Sequence, residues 1–139
     1  MQSLLCNIPI DHQDNWPSEV RLITSVLEQQ ESLFENRRSM TRYPYRVKAG
    51  IEIIEGSGMH PSRSVQVYTR DANARGLGFV SNRELSLGVK ARLHLPSPAD
   101  RPRWIACSIV RCRSFIDGWF EGAVLFDNDQ RMFEPGDAD

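Results

Sequence analysis

The sequence predicts a mainly β protein, in which one α-helix precedes an antiparallel barrel or sandwich of about six strands. Apolar and polar residues alternate with a period of two in successive segments between Tyr45 and Phe126. Turn-forming residues separate these segments, and the pattern contains no strand–helix–strand alternation. Because closing a sheet removes its exposed edges, short strands with one apolar face each favour a barrel or a sandwich.

One helix is predicted ahead of the strands, in the segment EVRLITSVLEQQESLFENRR. Val20 and Ile23, followed by Val26 or Leu27, have helical spacing and form an apolar stripe that needs a partner surface. Ser18 stands directly before this segment, where an N-cap residue is expected. The sequence therefore predicts an amphipathic helix that begins near Ser18.

Six strand segments follow the helix, and each is bounded by turn-forming residues. They are residues 45–53, 65–71, 76–81, 84–95, 103–116 and 119–126. In the fourth segment Leu85 and Leu87 share an apolar face, and Gly88 is a candidate break between a turn and a strand. Asp117 and Gly118 predict a hairpin between the last two segments.

Composition and charge argue against several classes of partner. The formal net charge is −1, and arginine clusters only at residues 37–46, which disfavours a nucleic-acid polymer as the ligand. The longest apolar runs are too short to span a bilayer, so no membrane insertion is expected. The chain has three cysteines, and no charged and apolar leader precedes them, which favours a reduced, cytoplasmic location.

The sequence shows no recognisable catalytic or metal-binding motif. The three histidines lack ligand spacing. Cys107 and Cys112 lie five apart in a predicted strand, so their side chains are expected on opposite faces. A nucleophile elbow, a Walker A motif and a glycine-rich dinucleotide loop are all absent. We therefore expect a protein that is not an enzyme and that needs no cofactor.

The stretch ENRRSMTRYPYR, residues 35–46, is the densest in arginine. Arg37, Arg38 and Arg42 precede Pro44, which disfavours helix before it, so they fall at a joint between helix and strand. A guanidinium group is planar and makes two parallel hydrogen bonds to a phosphate or to a guanine edge. The alternative is a solvated helix end, which is the commoner use of a run of charges.

A second candidate stretch is DANARG, residues 71–76, at the end of a predicted strand. Asp71 can accept two hydrogen bonds in one plane, which suits the N1–H and N2–H₂ edge of guanine. Asn73 can both donate and accept, and Gly76 permits a positive-φ turn or a close approach of backbone. Taken alone, these residues are better interpreted as an ordinary turn, because Asp, Asn and Gly are the usual turn formers.

Together, Arg38-x-x-x-Arg42 before the first strand and the D-x-N-x-x-G turn between later strands resemble the PilZ domain family. The resemblance continues through SNRELSLGVKARLHLP, SIVRCR and GWFEGAVLF and covers roughly residues 35–128. The family usually has serine at the position of Asn73. The resemblance implies a mainly β fold with a six-stranded antiparallel PilZ-type barrel after an N-terminal helix. It divides the chain into a tail and amphipathic helix (1–34), the barrel (35–128) and a C-terminal tail (129–139).

The resemblance also implies a function, which is non-catalytic binding of the second messenger cyclic di-GMP. Its ligand-binding residues would be Arg37, Arg38, Arg42, Asp71, Asn73 and Gly76. In the family the arginine segment folds over the nucleotide while the turn holds a base, and this ordering would signal to a partner protein. Two alternatives remain: a degenerate barrel that acts as a protein-interaction module without nucleotide, and a nucleic-acid-binding barrel that uses the basic run.

Overall fold

A computed structural model describes residues 16–34, 43–54, 63–96 and 103–133. Helix α1 spans Ser18–Phe34. The strands are β1 (Tyr43–Pro44), β2 (Lys48–Ile53), β3 (Arg63–Ala72), β4 (Gly76–Ser81), β5 (Lys90–Leu95), β6 (Arg103–Ile116) and β7 (Trp119–Phe126). A 3-10 helix at Arg131–Phe133 follows them. Three of the predicted ligand-binding residues, Arg37, Arg38 and Arg42, lie outside the described residues.

The strands close into a barrel. Strand order is β3-β2-β5-β6-β7-β4, and β4 pairs back with β3, so these six strands form a ring in which every pairing is antiparallel. Strand β1 adds a two-residue pairing to β3, beyond the end of β2. The predicted barrel of six antiparallel strands, with one helix ahead of it, is confirmed.

The inside of the barrel is an apolar core to which all six strands contribute. Phe79, Ile51 and Leu93 are among its fully buried side chains. Phe133 of the 3-10 helix also belongs to this core, where its ring stacks on Phe126 with centroids 5.5 Å apart. The stretch that the sequence assigned to a C-terminal tail thus contributes a core side chain.

Two turns follow the prediction and one segment departs from it. Gly88 and Gly118 both have positive φ, at 82° and 81°, in the turns before β5 and between β6 and β7. The segment before Gly88 is irregular instead of strand, so Leu85 is buried while Leu87 is 63% exposed. The expectation that these two leucines share an apolar face is therefore wrong, because side chains alternate regularly only in extended, paired backbone.

Helix α1 packs on the outside of the barrel. Val20, Ile23 and Leu27 are buried together with Trp16 and with Val80 of β4. This contact confirms the predicted apolar stripe and supplies its partner surface. Because most of the stability of a helix in a protein comes from packing of its apolar face, burial of this stripe is what stabilises α1.

The start of α1 differs in detail from the prediction. The Pro17 carbonyl accepts hydrogen bonds from the backbone N–H groups of Val20 and Arg21, at 3.1 and 3.2 Å. Pro17 therefore occupies the N-cap position, and Ser18 lies inside the helix. The Ser18 hydroxyl lies 3.4 Å from the Glu19 carboxylate and does not cap the helix.

Strand β6 carries a β-bulge that changes which side chains face the core. Its pairing with β7 shifts between Ile109 and Arg111, so Val110 is the extra residue and is 50% exposed. Beyond the bulge Cys112 returns to the core side, where Cys107 is already buried. The prediction that the two cysteines face opposite ways is therefore wrong, because one inserted residue reverses the alternation. Burial raises the pKa of the Cys107 thiol to about 12.

Gly122 of β7 is a site where the barrel tolerates no side chain. A Cβ there would lie 2.8 Å from the Arg111 carbonyl oxygen and would also overlap the Phe79 ring in the core. We expect Gly122→Ala to destabilise the protein by about 2 kcal/mol, the usual cost of overpacking a core. Gly50→Ala is the matched control in urea denaturation, since its Cβ would meet neighbours only at 3.7 Å and beyond. Equal stability of Gly122→Ala and the wild type would contradict this packing.

Candidate functional site

A second β-bulge aims the charged side chains of β3 outward. The pairing of β3 with β4 shifts between Thr69 and Asp71, so Arg70 is the extra residue. Strict alternation from Val67, which faces the core, would also turn Asp71 inward. With Arg70 inserted, Ala72 joins the core and Asp71 lies on the outer face, in register with Gly78. The bulge therefore places a carboxylate on the outside of the barrel.

Arg70 and Asp71 form a buried ion pair on this outer face. Their side chains are 2.9 Å apart, and the residues are only 3% and 6% exposed. Gly78 of β4 makes room for them, since a Cβ there would lie 2.7 Å from Asp71 Oδ1 and 2.9 Å from an Arg70 nitrogen. Asp71, which the sequence predicted as a guanine contact, is thus held by its own neighbour in the chain.

Glu121 of β7 extends this ion pair into a larger charged cluster. Its carboxylate is fully buried and lies 3.4 Å from Arg70. Arg111 of β6 contacts both carboxylate oxygens, and Arg113 Nε donates to one of them at 3.0 Å. Arg70, Asp71, Arg111, Arg113 and Glu121 are called the Glu121 cluster below. Because a buried carboxylate requires charged or hydrogen-bonding partners, these arginines compensate for the removal of Glu121 from water.

The bulge in β6 explains how Arg111 and Arg113 reach this cluster. Ile109 faces the core, so strict alternation would turn both arginines inward as well. The extra residue Val110 reverses the alternation, and both guanidinium groups then meet Glu121 on the outer face. Two bulges, one in β3 and one in β6, therefore direct charged side chains to the same outer surface.

Asn73 organises the turn between β3 and β4. Its Oδ1 accepts hydrogen bonds from the backbone N–H groups of Arg75 and Gly76, at 2.9 and 3.1 Å. Within the part of the chain that the structure describes, its amide nitrogen makes no hydrogen bond. The side chain therefore closes the turn through its oxygen and retains two N–H donors.

At Gly76 the backbone of this turn lies very close to the backbone of β7. A Cβ there would overlap the Val124 carbonyl oxygen of β7. Only Gly88 and Gly118 have positive φ among the described glycines, so of the two roles considered for Gly76 the structure shows the close approach. Gly76 is thus required for packing β4 against β7, whatever else it contacts.

Strand β1 directly follows the arginine segment in sequence, and it pairs with the end of β3. Tyr43, the residue after Arg42, pairs with Ala72, and Pro44 pairs with Asp71. Arg37, Arg38 and Arg42 themselves lie outside the described residues, so the structure leaves their predicted ligand contacts untested. The described range 43–54 begins at Tyr43, directly after Arg42, beside the end of β3 that carries Asp71.

A third irregularity, between β1 and β2, holds β1 in this position. From Pro44 to Lys48 the chain advances four residues, while β3 advances only three, from Asp71 to Tyr68. The buried hydroxyl of Thr69 fills the gap: it accepts from Val47 N–H at 2.8 Å and lies 2.6 Å from the Tyr45 carbonyl oxygen, to which it can donate. Thr69 therefore fixes the joint through which β1 reaches Asp71.

Arg46 lies within this joint and connects it to the helix. Its guanidinium forms an ion pair with Glu28 of α1. Burial lowers the pKa of Arg46, and the nearby Asp71 carboxylate opposes that shift. The Arg46 Nε has no hydrogen-bond partner within the described ranges. A change in the charge near Asp71 would thus act on Arg46, which also contacts α1.

Sequence reasoning missed Arg70 and Glu121. Arg111 and Arg113 share a face of the predicted strand, where arginines are more often solvated than part of a ligand site, and they were not among the predicted site residues. The available signal was the charge at positions that alternation assigns to the core, namely Asp71, Arg111 and Arg113. A charged residue at a core position predicts either an ion pair inside or a bulge that turns it outward. Here both features occur.

The described residues were also compared with the requirements of a metal site and of a membrane-spanning helix. No group of three or more His, Cys, Asp or Glu side chains in the described ranges is placed to hold a metal ion. None of the described helical segments has the length and hydropathy needed to cross a bilayer.

Comparisons with known proteins show a structural likeness. The chain matches no protein-family model and no curated protein sequence. Among solved structures it is similar to the Bacillus subtilis inhibitor of motility (MotI/DgrA), with a TM-score of 0.48 and 15% sequence identity. The match covers 68% of this chain and 44% of that one, so this chain spans less than half of the solved protein's length. The fold described above rests on the strand pairings and not on this likeness.

Proposed function

We propose that this protein is a non-catalytic receptor of the PilZ type that binds cyclic di-GMP on the outer face of its barrel. The observation that carries the proposal is the pairing of Tyr43–Pro44 with Ala72 and Asp71. In that register Tyr43, the residue after Arg42, lies beside the end of β3 from which the D-x-N-x-x-G turn begins. This supports a site at which the two motifs, some thirty residues apart in sequence, would meet.

The ligand's chemistry suits the groups gathered there. Cyclic di-GMP presents two phosphodiesters and two guanines. Arg37, Arg38 and Arg42 would bind phosphates and guanine edges, because the planar guanidinium matches both. Asp71 would accept from a guanine N1–H and N2–H₂ edge, and the Asn73 amide nitrogen would donate to a base oxygen or nitrogen. Gly76 would keep the turn in place.

Helix α1 is the proposed output. The arginine segment joins α1 to β1 in the chain. Ligand contacts to this segment would therefore act on both α1 and β1. The ion pair between Arg46 and Glu28 gives a second route from the site to the helix. A ligand that favours one placement of α1 shifts the population toward it, and a partner protein in the bacterial cytoplasm would read that change.

Calorimetric titration with cyclic di-GMP tests the proposal. We expect saturable binding by the wild type and a loss of at least about tenfold in affinity for Arg38→Ala, Arg42→Ala and Asp71→Asn, since each removes a charge-assisted contact. Arg92→Ala is the control, because it removes an arginine from β5, outside the proposed site. A ligand that binds only the folded state must also raise the thermal midpoint. Absence of binding heat and of a midpoint shift in the wild type would refute the proposal.

One observation favours a second candidate, a barrel that serves as a protein-interaction module without nucleotide. The Asp71 carboxylate is paired with Arg70, and the Asn73 oxygen closes its own turn. Both motif residues therefore have structural uses that require no ligand. A folded wild type that captures a specific partner protein and ignores cyclic di-GMP would select this candidate.

A further inference from the structure

We infer that Arg111 and Arg113 of β6 form an anion-binding arm of the ligand site, which takes a phosphate of the dinucleotide. Glu121 is the residue that holds both guanidinium groups in place. The inference rests on the proposed function and extends the site from the two sequence motifs to β6 and β7. It concerns residues that belong to neither motif.

The charge balance of the Glu121 cluster favours an anion. Arg70, Arg111 and Arg113 contribute three positive charges, and Asp71 and Glu121 contribute two negative ones. Among these five side chains the positive charges therefore outnumber the negative ones by one. Because the cluster is partly removed from water, an excess charge there attracts a counterion more strongly than it would in bulk solvent.

The contacts to Glu121 leave donors on both arginines. Each guanidinium has five N–H groups. Arg111 uses Nε and one terminal nitrogen to bind Glu121, and Arg113 places the same two kinds of nitrogen within 3.0 Å of Glu121. Neither arginine uses its other terminal nitrogen in these contacts. The Arg113 side chain is 64% exposed and that of Arg111 31%, so an anion in solution can reach them.

The strand registers place the arm opposite Asp71 across one outer surface. Asp71 pairs with Gly78, Gly78 pairs with Ala123, and Ala123 pairs with Arg111. These four residues form one row across four neighbouring strands, with charged residues at its ends and small residues between them. At a spacing of about 4.8 Å between strands, the ends of the row lie about 14 Å apart at the backbone. Long arginine side chains shorten that distance, so one dinucleotide can contact both ends.

The same geometry explains the role of Glu121. An exposed arginine ordinarily loses side-chain entropy when it binds a phosphate. Contact with Glu121 has already restricted Arg111 and Arg113, so less entropy is lost on binding. A buried carboxylate that restricts two partly exposed arginines is typical of a preorganised anion site.

Calorimetric titration of cyclic di-GMP into four proteins tests the inference: the wild type, Arg113→Ala, Arg111→Ala and the control Arg92→Ala. Arg92 is a good match because it too is a half-exposed strand arginine that pairs with a glutamate, Glu52. We expect affinity to fall at least about tenfold in Arg113→Ala and in Arg111→Ala, and to stay within about twofold of the wild type in the control. Arg113→Lys should fall between, because lysine keeps the charge but loses the planar donor pair.

Thermal midpoints without ligand show whether each variant folds, and Arg113→Ala is expected to fold because its side chain is mostly exposed. In the wild type, the Nε–H resonance of Arg113 should move on addition of cyclic di-GMP. Wild-type affinity in both folded variants, with no movement of that resonance, overturns the inference and leaves the proposed function standing. If the wild type itself does not bind cyclic di-GMP, the proposed function and this inference both fail.

Discussion

Replacing Glu121 with alanine is expected to destabilise the folded protein by about 3–5 kcal/mol, the usual cost of breaking a buried ion pair from one side. Glu121 is fully buried, and it contacts Arg70, Arg111 and Arg113. After the substitution Arg70 keeps only Asp71 as a carboxylate partner within the cluster, and it stays 3% exposed. Urea denaturation followed by circular dichroism measures the free energy of unfolding.

The control for this prediction is Asp127→Ala, which also removes a carboxylate from an ion pair. Asp127 pairs with Lys90 at 3.2 Å, and that lysine is 63% exposed. Removal of an exposed pair should cost less than about 1 kcal/mol. If Glu121→Ala costs no more than Asp127→Ala, then the arginines do not depend on Glu121 and the description of the cluster is wrong.

Most of the fold could be predicted from the sequence because alternation is a local signal. The segment at 76–81 was predicted with the bounds that the structure gives to β4, and 103–116 and 119–126 match β6 and β7. Alternation does not specify which strands pair, so a barrel and a sandwich could not be separated from the pattern alone. The order in which β2 pairs with β5, and β7 with β4, depends on contacts between distant segments.

The site was harder to predict, because it is made by departures from alternation. Asp71 was found through its motif, but its bulge neighbour Arg70 carries no motif and was missed. Glu121 lies in a strand at a position that alternation assigns to the outer face, which predicts a solvated side chain. It is fully buried instead, because arginines from β3 and β6 gather over it. No pattern within β7 contains that information.

Replacing Thr69 with valine is expected to destabilise the protein by about 2–4 kcal/mol, although valine has nearly the same shape. The Thr69 hydroxyl accepts from Val47 N–H at 2.8 Å and lies 2.6 Å from the Tyr45 carbonyl oxygen. Valine would leave the Val47 N–H buried without this acceptor, which costs about 1–3 kcal/mol, and would also remove the hydroxyl's own hydrogen bond, at about 1 kcal/mol. Urea denaturation of both proteins gives the difference.

Thr69→Ser is the matched control, because it keeps the hydroxyl and removes only a buried methyl group, at about 1 kcal/mol. If the serine and valine variants are equally destabilised, the methyl group and not the hydroxyl holds the joint. The two variants also separate fold from function. The hydroxyl fixes the inserted residue between β1 and β2, and that joint sets Pro44 opposite Asp71. Under the proposed function, Thr69→Val should therefore weaken cyclic di-GMP binding at temperatures where it is still folded, while Thr69→Ser should bind as the wild type does.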